Sequence, residues 1–264
     1  MSTHPLDEPQ VINHLFYPRK NIANMSSDDT IADGSIVVED DIEIGYRLHI
    51  LDSSAPVLLY FHGNGEIASD YHSIAPYYHA VGLTLLIVDY RGYGWSTGTP
   101  LTSKLLPDAQ VVLDDINSIL SQSGIIPDRP LFLMGRSLGS APAIYLAKNN
   151  PNTLKGLIIE SGYADAPSLF RRLGIFIPDD IKNDPSLPLN NDEKMKDVTI
   201  PVLVIHGEND TLIPVSHGKA LYENAPSEHK TLITIPNAGH NDVSFRDLQR
   251  YFSAIQIFVD THLD

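Results

Sequence analysis

Ser137 stands between two glycines, in Gly135-Arg136-Ser137-Leu138-Gly139, directly after the apolar run Leu131 to Met134. A polar side chain at the end of such a run is either a bend residue or a reactive group. The G-x-S-x-G spacing favours the second reading, because the flanking glycines permit a sharp strand-to-helix turn and close packing that a Cβ would block. The turn lifts the serine Oγ clear of the backbone and leaves the Leu138 N–H at a helix start, aimed where an oxyanion would form. A serine hydroxyl is a weak nucleophile at neutral pH, so it needs a histidine base and an acid to orient that histidine. Two later segments offer them. "PVLVIHGENDTLIP" carries Asp210 after an apolar run, and "TLITIPNAGHNDV" carries His240 after the next one. Taken singly, Asp210 reads as a turn or cap residue and His240 as a polar loop residue. Coincidence is a poor account of both at successive strand ends.

For three such residues to meet, the strands that carry them must end at one edge of a sheet. Short apolar runs separated by helix-length segments are the pattern of a parallel sheet covered by helices on both faces. The runs predict eight strands, over residues 36–39, 44–50, 56–61, 83–88, 130–135, 155–160, 201–206 and 231–235, the first two forming an antiparallel edge hairpin. Spaced apolar positions predict amphipathic helices over 68–82, 105–124, 141–150, 216–225 and 243–263. Ser137 then lies at the carboxyl end of an interior strand, where open α/β sheets bind ligands. Residues 163–198 break the pattern with prolines and mixed polarity, and read as a short cap insertion over one end of the sheet within a single domain spanning 1–264. Pro142 removes an N–H about one turn into the helix after Ser137, which leaves the start of that helix open.

From "PVLLYFHGNGE" to "NAGHND" the chain resembles a serine hydrolase of the α/β-hydrolase superfamily, with the order Ser, Asp, His of that group. "HGNGE", "DYRGYGWSTG", "GRSLGS", "HGENDTLIP" and "AGHND" carry the resemblance. It implies the α/β-hydrolase fold, Ser137 as nucleophile, Asp210 as acid, His240 as base, and the backbone N–H groups of Asn64 and Leu138 as the oxyanion hole. Within the superfamily the chain is most similar to small-cap members, the depalmitoylating thioesterase, serine aminopeptidase and prolyl-oligopeptidase-like group. Dehalogenases and epoxide hydrolases differ in placing Asp where Ser137 stands.

The whole chain limits the remaining choices. A length of 264 residues suits one α/β domain with a large core. Eighteen Lys and Arg against 33 Asp and Glu give a formal charge of -15, which repels phosphate backbones, so no nucleic-acid partner is expected. The absence of cysteine excludes disulfides, thiolate catalysis and thiolate metal sites. No basic and apolar leader pattern opens the chain and no apolar run reaches membrane-spanning length, so neither a transmembrane segment nor export is expected, and the protein is placed in the cytoplasm. No D-x-D-x-D-G spacing occurs in the acidic stretch "VEDDIEIGYRL", and no metal or cofactor is expected.

Several other residues invite weaker readings. His62 and His206 read as hydrogen-bonded structural residues rather than proton carriers. Glu66 either neighbours the site or favours a helix start, Asp89 braces its turn against Arg91 and is the rival acid, and Arg171 and Arg172 read as a solvated pair. The expected reaction is cleavage of carboxylic esters or thioesters of short to medium acyl chains, small-molecule substrates, through an acyl-enzyme on Ser137. A small-peptide serine peptidase and an inactive binding protein on the same fold remain alternatives. In the cap, Leu169, Phe170, Leu173, Ile175, Phe176 and Ile177 form an acyl-chain slot or pin the cap to the sheet.

Overall fold

The computed structural model describes residues 4–23, 28–176 and 187–263. Among the described residues eight strands form one sheet: β1 (Ile31–Glu39), β2 (Ile42–His49), β3 (Val57–Phe61), β4 (Thr84–Val88), β5 (Leu131–Arg136), β6 (Gly156–Glu160), β7 (Val202–Gly207) and β8 (Lys230–Ile235). Their order is β1-β2-β4-β3-β5-β6-β7-β8. β1 and β2 pair antiparallel, β2 pairs antiparallel with β4, and every pairing from β4 to β8 is parallel. This is the α/β-hydrolase architecture with the antiparallel amino-terminal edge that the apolar runs predict.

The helices are α1 (Pro9–Leu15), α2 (Ala75–Ala80), α3 (Thr102–Asp114), α4 (Ile116–Gln122), α5 (Ser140–Asn149), α6 (Ala166–Arg172), α7 (Asn191–Met195), α8 (Val215–Asn224), α9 (Val243–Arg246) and α10 (Leu248–Thr261). Interior strands are buried throughout, and successive side chains feed opposite cores. Leu59, Phe61, Leu133, Leu157 and Ile159 join the cluster that includes α3 and α5 residues, while Leu58, Tyr60, Phe132, Met134 and Ile158 join the one that includes α2 and α10 residues. Burial on both faces explains why these runs lack polar alternation.

Two differences from the expected elements have local causes. β1 starts at Ile31 rather than 36, through the weak strand formers Asp33 and Gly34. Asp33 lies opposite Arg47 and takes both its Nε and Nη2 hydrogens, at 2.7 and 2.6 Å, so a bidentate cross-strand pair extends the hairpin. The segment before β1 also folds: Pro9 opens α1, and Val11 and Leu15 bury the same face at i and i+4.

His49, at the end of β2, is buried with its Nε2 unpartnered. Burial, reinforced by Arg47, His72 and His79 and opposed by Asp28, pushes its imidazole down to about 3 from 6.5. The unfolded chain therefore binds the extra proton between about pH 6.5 and 3, and the fold loses stability as pH falls through that window. Urea unfolding should show wild type losing roughly 2–3 kcal/mol more than His49→Gln on going from about pH 7.5 to about 4.5. Equal losses would place the acid sensitivity elsewhere.

Candidate active site

The connection from β3 goes to β4 on one side, and β5 lies on the other, so the strand order reverses at the β3–β5 boundary, where open α/β sheets form a crevice beyond the strand ends. Ser137 follows β5 directly, in a 3-10 turn over Ser137–Gly139 that leads into α5. Its φ is +51°, the left-handed region that side chains with a Cβ avoid. The strain of the turn is thus carried by the serine. The two glycines instead provide room. A Cβ on Gly139 would stand 2.0 Å from the Phe61 carbonyl oxygen at the end of β3, and one on Gly135 would stand 2.3 Å from the Gly139 carbonyl oxygen. Pro142 is the third residue of α5, inside the first turn, where its missing N–H costs nothing. The Ser140 hydroxyl donates to the Ser137 carbonyl at 2.6 Å and closes the turn.

Opposite stability effects follow at this turn. Gly139→Ala must displace backbone and should cost about 2–3 kcal/mol. Ser137→Gly releases the positive-φ strain and should gain about 1 kcal/mol while removing the hydroxyl. Urea midpoints of the two variants moving the same way would contradict this account of the turn.

Ser137, Asp210 and His240 come together from separate strand ends. His240 Nε2 lies 3.0 Å from Ser137 Oγ, and His240 Nδ1 lies 2.7 Å from Asp210 Oδ2. The other oxygen, Asp210 Oδ1, accepts the Leu212 and Ile213 amides at 2.9 and 2.7 Å. His206 Nε2 donates to the Ile213 carbonyl at 2.8 Å and stands 3.4 Å from Asp210 Oδ2. Burial works to raise the Asp210 pKa, but His206, His240 and the Ile213 amide outweigh it and hold the carboxyl well below the usual range. A carboxylate fixed in this way holds the Nδ1 hydrogen of His240 and leaves Nε2 to accept from Ser137.

Asn64 lies just past the end of β3, against which the Ser137 turn packs. The Asn64 amide donates to no protein acceptor among the described residues. Its side chain is held through both its nitrogen and its oxygen. Nδ2 donates to the Leu15 carbonyl at 2.7 Å, and Oδ1 accepts the Tyr17 amide at 2.9 Å and the Tyr93 hydroxyl at 2.6 Å. The segment after α1 therefore grips the loop after β3, a role the sequence reading did not assign to it. Its signal was present in the Pro9 start and the Val11–Leu15 spacing.

Other side chains depart from expectation. Asp89 does not brace Arg91. Its Oδ1 accepts the Ala68 amide at 2.9 Å and faces buried His62 Nε2 at 3.2 Å, while Arg91 pairs with Asp108 and Glu39. The guanidinium is long enough to cross to α3, where Asp108 offers both oxygens. Glu66 is not a helix-start residue either. It accepts the Gly63 amide and the Tyr71 hydroxyl and pairs with Arg136. Arg172 donates to the Thr211 carbonyl at 3.1 Å, tying the cap to the acid loop. His62 and His206 are buried and hydrogen-bonded, as expected.

The cap residues divide. Leu169 and Phe170 are buried in the core, Ile175 is buried with them, Leu173 packs partly buried against that cluster, and Phe176 is 84% exposed. Ile177 and residues 178–186 of the cap lie outside the described residues. No group of three His, Cys, Asp or Glu arranged to hold a metal ion occurs among the described residues, and none of the described helices is long and apolar enough to cross a membrane.

Comparison with known proteins agrees with this architecture. A family model described as "Serine aminopeptidase, S33" matches residues 52–176 and 190–243, more than half of the chain. Protein bem46 of Schizosaccharomyces pombe is 30% identical over 211 residues, covering 78% of this chain and 68% of that protein. An uncharacterized protein of Mycobacterium tuberculosis is 30% identical over 256 residues, covering 93% of this chain and 85% of that one. Among solved structures, the Pyrococcus furiosus esterase Pf2001 superposes with a TM-score of 0.75 at 17% identity, covering 94% of this chain and 99% of that chain. Est1E of Butyrivibrio proteoclasticus, with ferulic acid bound, gives 0.71 at 21% identity over 87% and 98%. By its family match and its fold, the chain belongs to the serine aminopeptidase S33 family of the α/β-hydrolase superfamily.

Proposed function

We propose that this α/β-hydrolase is a serine esterase or thioesterase acting on short to medium acyl groups. The observation that carries the reading is the continuous relay from Asp210 through His240 to Ser137, at 2.7 and 3.0 Å. His240 takes the Ser137 proton as Oγ attacks the acyl carbonyl. The amides of Asn64 and Leu138 receive the oxyanion. His240 then protonates the departing alcohol or thiol, and water activated by the same imidazole releases the acid. Asp210 holds the tautomer and balances the imidazolium that forms.

The charge pattern supports an acyl ester over a peptide with a free amino terminus. Capture of an α-ammonium requires a carboxylate beside the nucleophile. Glu66 and Glu160, the two carboxylates that meet the residue preceding Ser137, both pair with Arg136. The esterase Pf2001 and the ferulic acid bound to Est1E, among the structural neighbours, agree with this preference.

A p-nitrophenyl ester series tests it. Each buried methylene contributes up to about 0.8 kcal/mol, so kcat/KM should rise about ten-fold from acetate to butyrate. It should then level off, because long tails extend past the partly buried cap residues into water. Faster cleavage of an aminoacyl-anilide than of the butyrate ester would replace the esterase with a peptidase. A chain that reacts with neither, and whose Ser137 resists a fluorophosphonate probe, would be a binding protein.

A further inference from the structure

Arg136 precedes Ser137 at the end of β5, and its guanidinium is almost wholly buried. Its hydrogen bonds reach three other segments. Nη2 donates to the His240 carbonyl and to Asn241 Oδ1, each at 3.0 Å. Nε donates to Glu160 Oε1 at the end of β6, at 3.1 Å. Nη1 binds Glu66 Oε1, and the second oxygen of Glu66 accepts the Gly63 amide at 2.7 Å, one residue before Asn64. Tyr71 and Tyr251 donate to the outer oxygens of Glu66 and Glu160, at 2.7 and 2.6 Å. Burial alone would disfavour this cation, but the two carboxylates outweigh it and hold Arg136 firmly protonated.

The two carboxylates balance the charge of the buried arginine, and its remaining N–H groups need acceptors of their own. Nη2 finds both of its acceptors on the loop that carries His240. Among the described residues, the only other hydrogen bond from that loop to the β5 end is the His240–Ser137 contact itself. We propose that Arg136 is a positioning residue: its guanidinium clamps the His240 loop and, through Glu66, the Asn64 loop to the turn that carries Ser137. A guanidinium serves this purpose, because its rigid planar fork spreads five N–H donors over three nitrogens, whereas an ammonium presents its donors from one compact point. The inference rests on the serine-hydrolase reading for its catalytic consequence but not for the clamp itself.

The clamp is open to chemical repair. A cavity of about 270 Å³ is lined by Arg136, Asn241, Glu66 and Glu160 among others, so a small cation can reach the space that truncation would leave. Arg136→Ala should slow fluorophosphonate labelling of Ser137 by about 100-fold, since small misplacements of a base cost that much. Guanidinium chloride well below denaturing concentration should recover about ten-fold of the loss in that variant and none in wild type. Asn241→Ala leaves both carboxylate pairs intact and serves if Arg136→Ala does not fold.

In both variants hydrogen exchange of the amides from Gly239 to Val243 should speed up by about ten-fold, while β5 and β7 keep their protection. Unchanged exchange in this loop overturns the clamp whatever the activity shows. Faster exchange with undiminished labelling overturns the positioning role. An unlabelled wild-type protein overturns the serine-hydrolase reading together with the catalytic half of the proposal, and the exchange measurement still decides the clamp.

Discussion

Ser137→Ala and His240→Ala should each lower kcat for ester hydrolysis by a factor on the order of 10⁶, and the double variant should fall little further. The expectation follows from the way the two side chains share one proton. Oγ lies 3.0 Å from Nε2, so removing the base leaves an unactivated alcohol, and removing the alcohol leaves a base with nothing to activate. What should survive either change is binding and the proposed oxyanion amides, which neither substitution touches. Additive losses would mean that the two residues act in separate steps, and the relay would have to be redrawn. Because the Asp210 carboxyl is held well below the usual range, it stays ionised across the working pH window and should add no ionisation of its own to the acid limb of the rate profile. A slope of two would reveal a second essential base.

Asp210→Asn should cost less, on the order of 10⁴ in kcat, by presenting an amide that stabilises the wrong histidine tautomer. Asp210 also accepts two amides of its own loop, so the variant must be compared with a control of similar structural burden. Asp89→Asn provides one. Asp89 is buried, follows the end of β4 and faces a histidine, but that histidine is His62, whose Nδ1 bonds the Gly63 carbonyl. Asp89→Asn should therefore lower stability and leave kcat within about ten-fold, since it loses ordinary hydrogen bonds rather than a proton relay. If Asp89→Asn reduces kcat more than Asp210→Asn in folded protein, the acid is Asp89.

The strands and the three chemically suggestive residues were readable because each carries a short-range signal. A doubly buried strand needs an unbroken apolar run, and a reactive group at its end interrupts that run in an obvious way. Side chains whose meaning depends on a distant partner were opaque. Arg136 occupies the variable position of its pentapeptide, and nothing local to it announces Glu66, Glu160 or Asn241. Asp89 was assigned to Arg91 because the two are close in sequence, whereas the fold turns Arg91 toward Asp108 and Asp89 toward His62. Likewise β1 was cut short at Ile36, since residues 31–35 have poor strand propensity and are held by the Asp33–Arg47 pair across the hairpin. The cap had the least signal. Its apolar residues fit a slot or an anchor equally well on spacing, and burial separates Leu169 and Phe170 from Phe176.

His240, the proposed base, stands in the last loop of the sheet, 103 residues after the serine, beyond an edge strand that can pair only once β7 is in place. During synthesis, at about 5–20 residues per second, Ser137 is added to the chain roughly 5–20 s before His240. For that interval the emerging polypeptide carries an alcohol without a base, and it cannot acylate itself or its neighbours. Reactivity arrives in a single late event, when β8 and the loop behind it join the sheet. Nascent chains stalled before residue 240 should accordingly be inert toward a fluorophosphonate, while released full-length chains react.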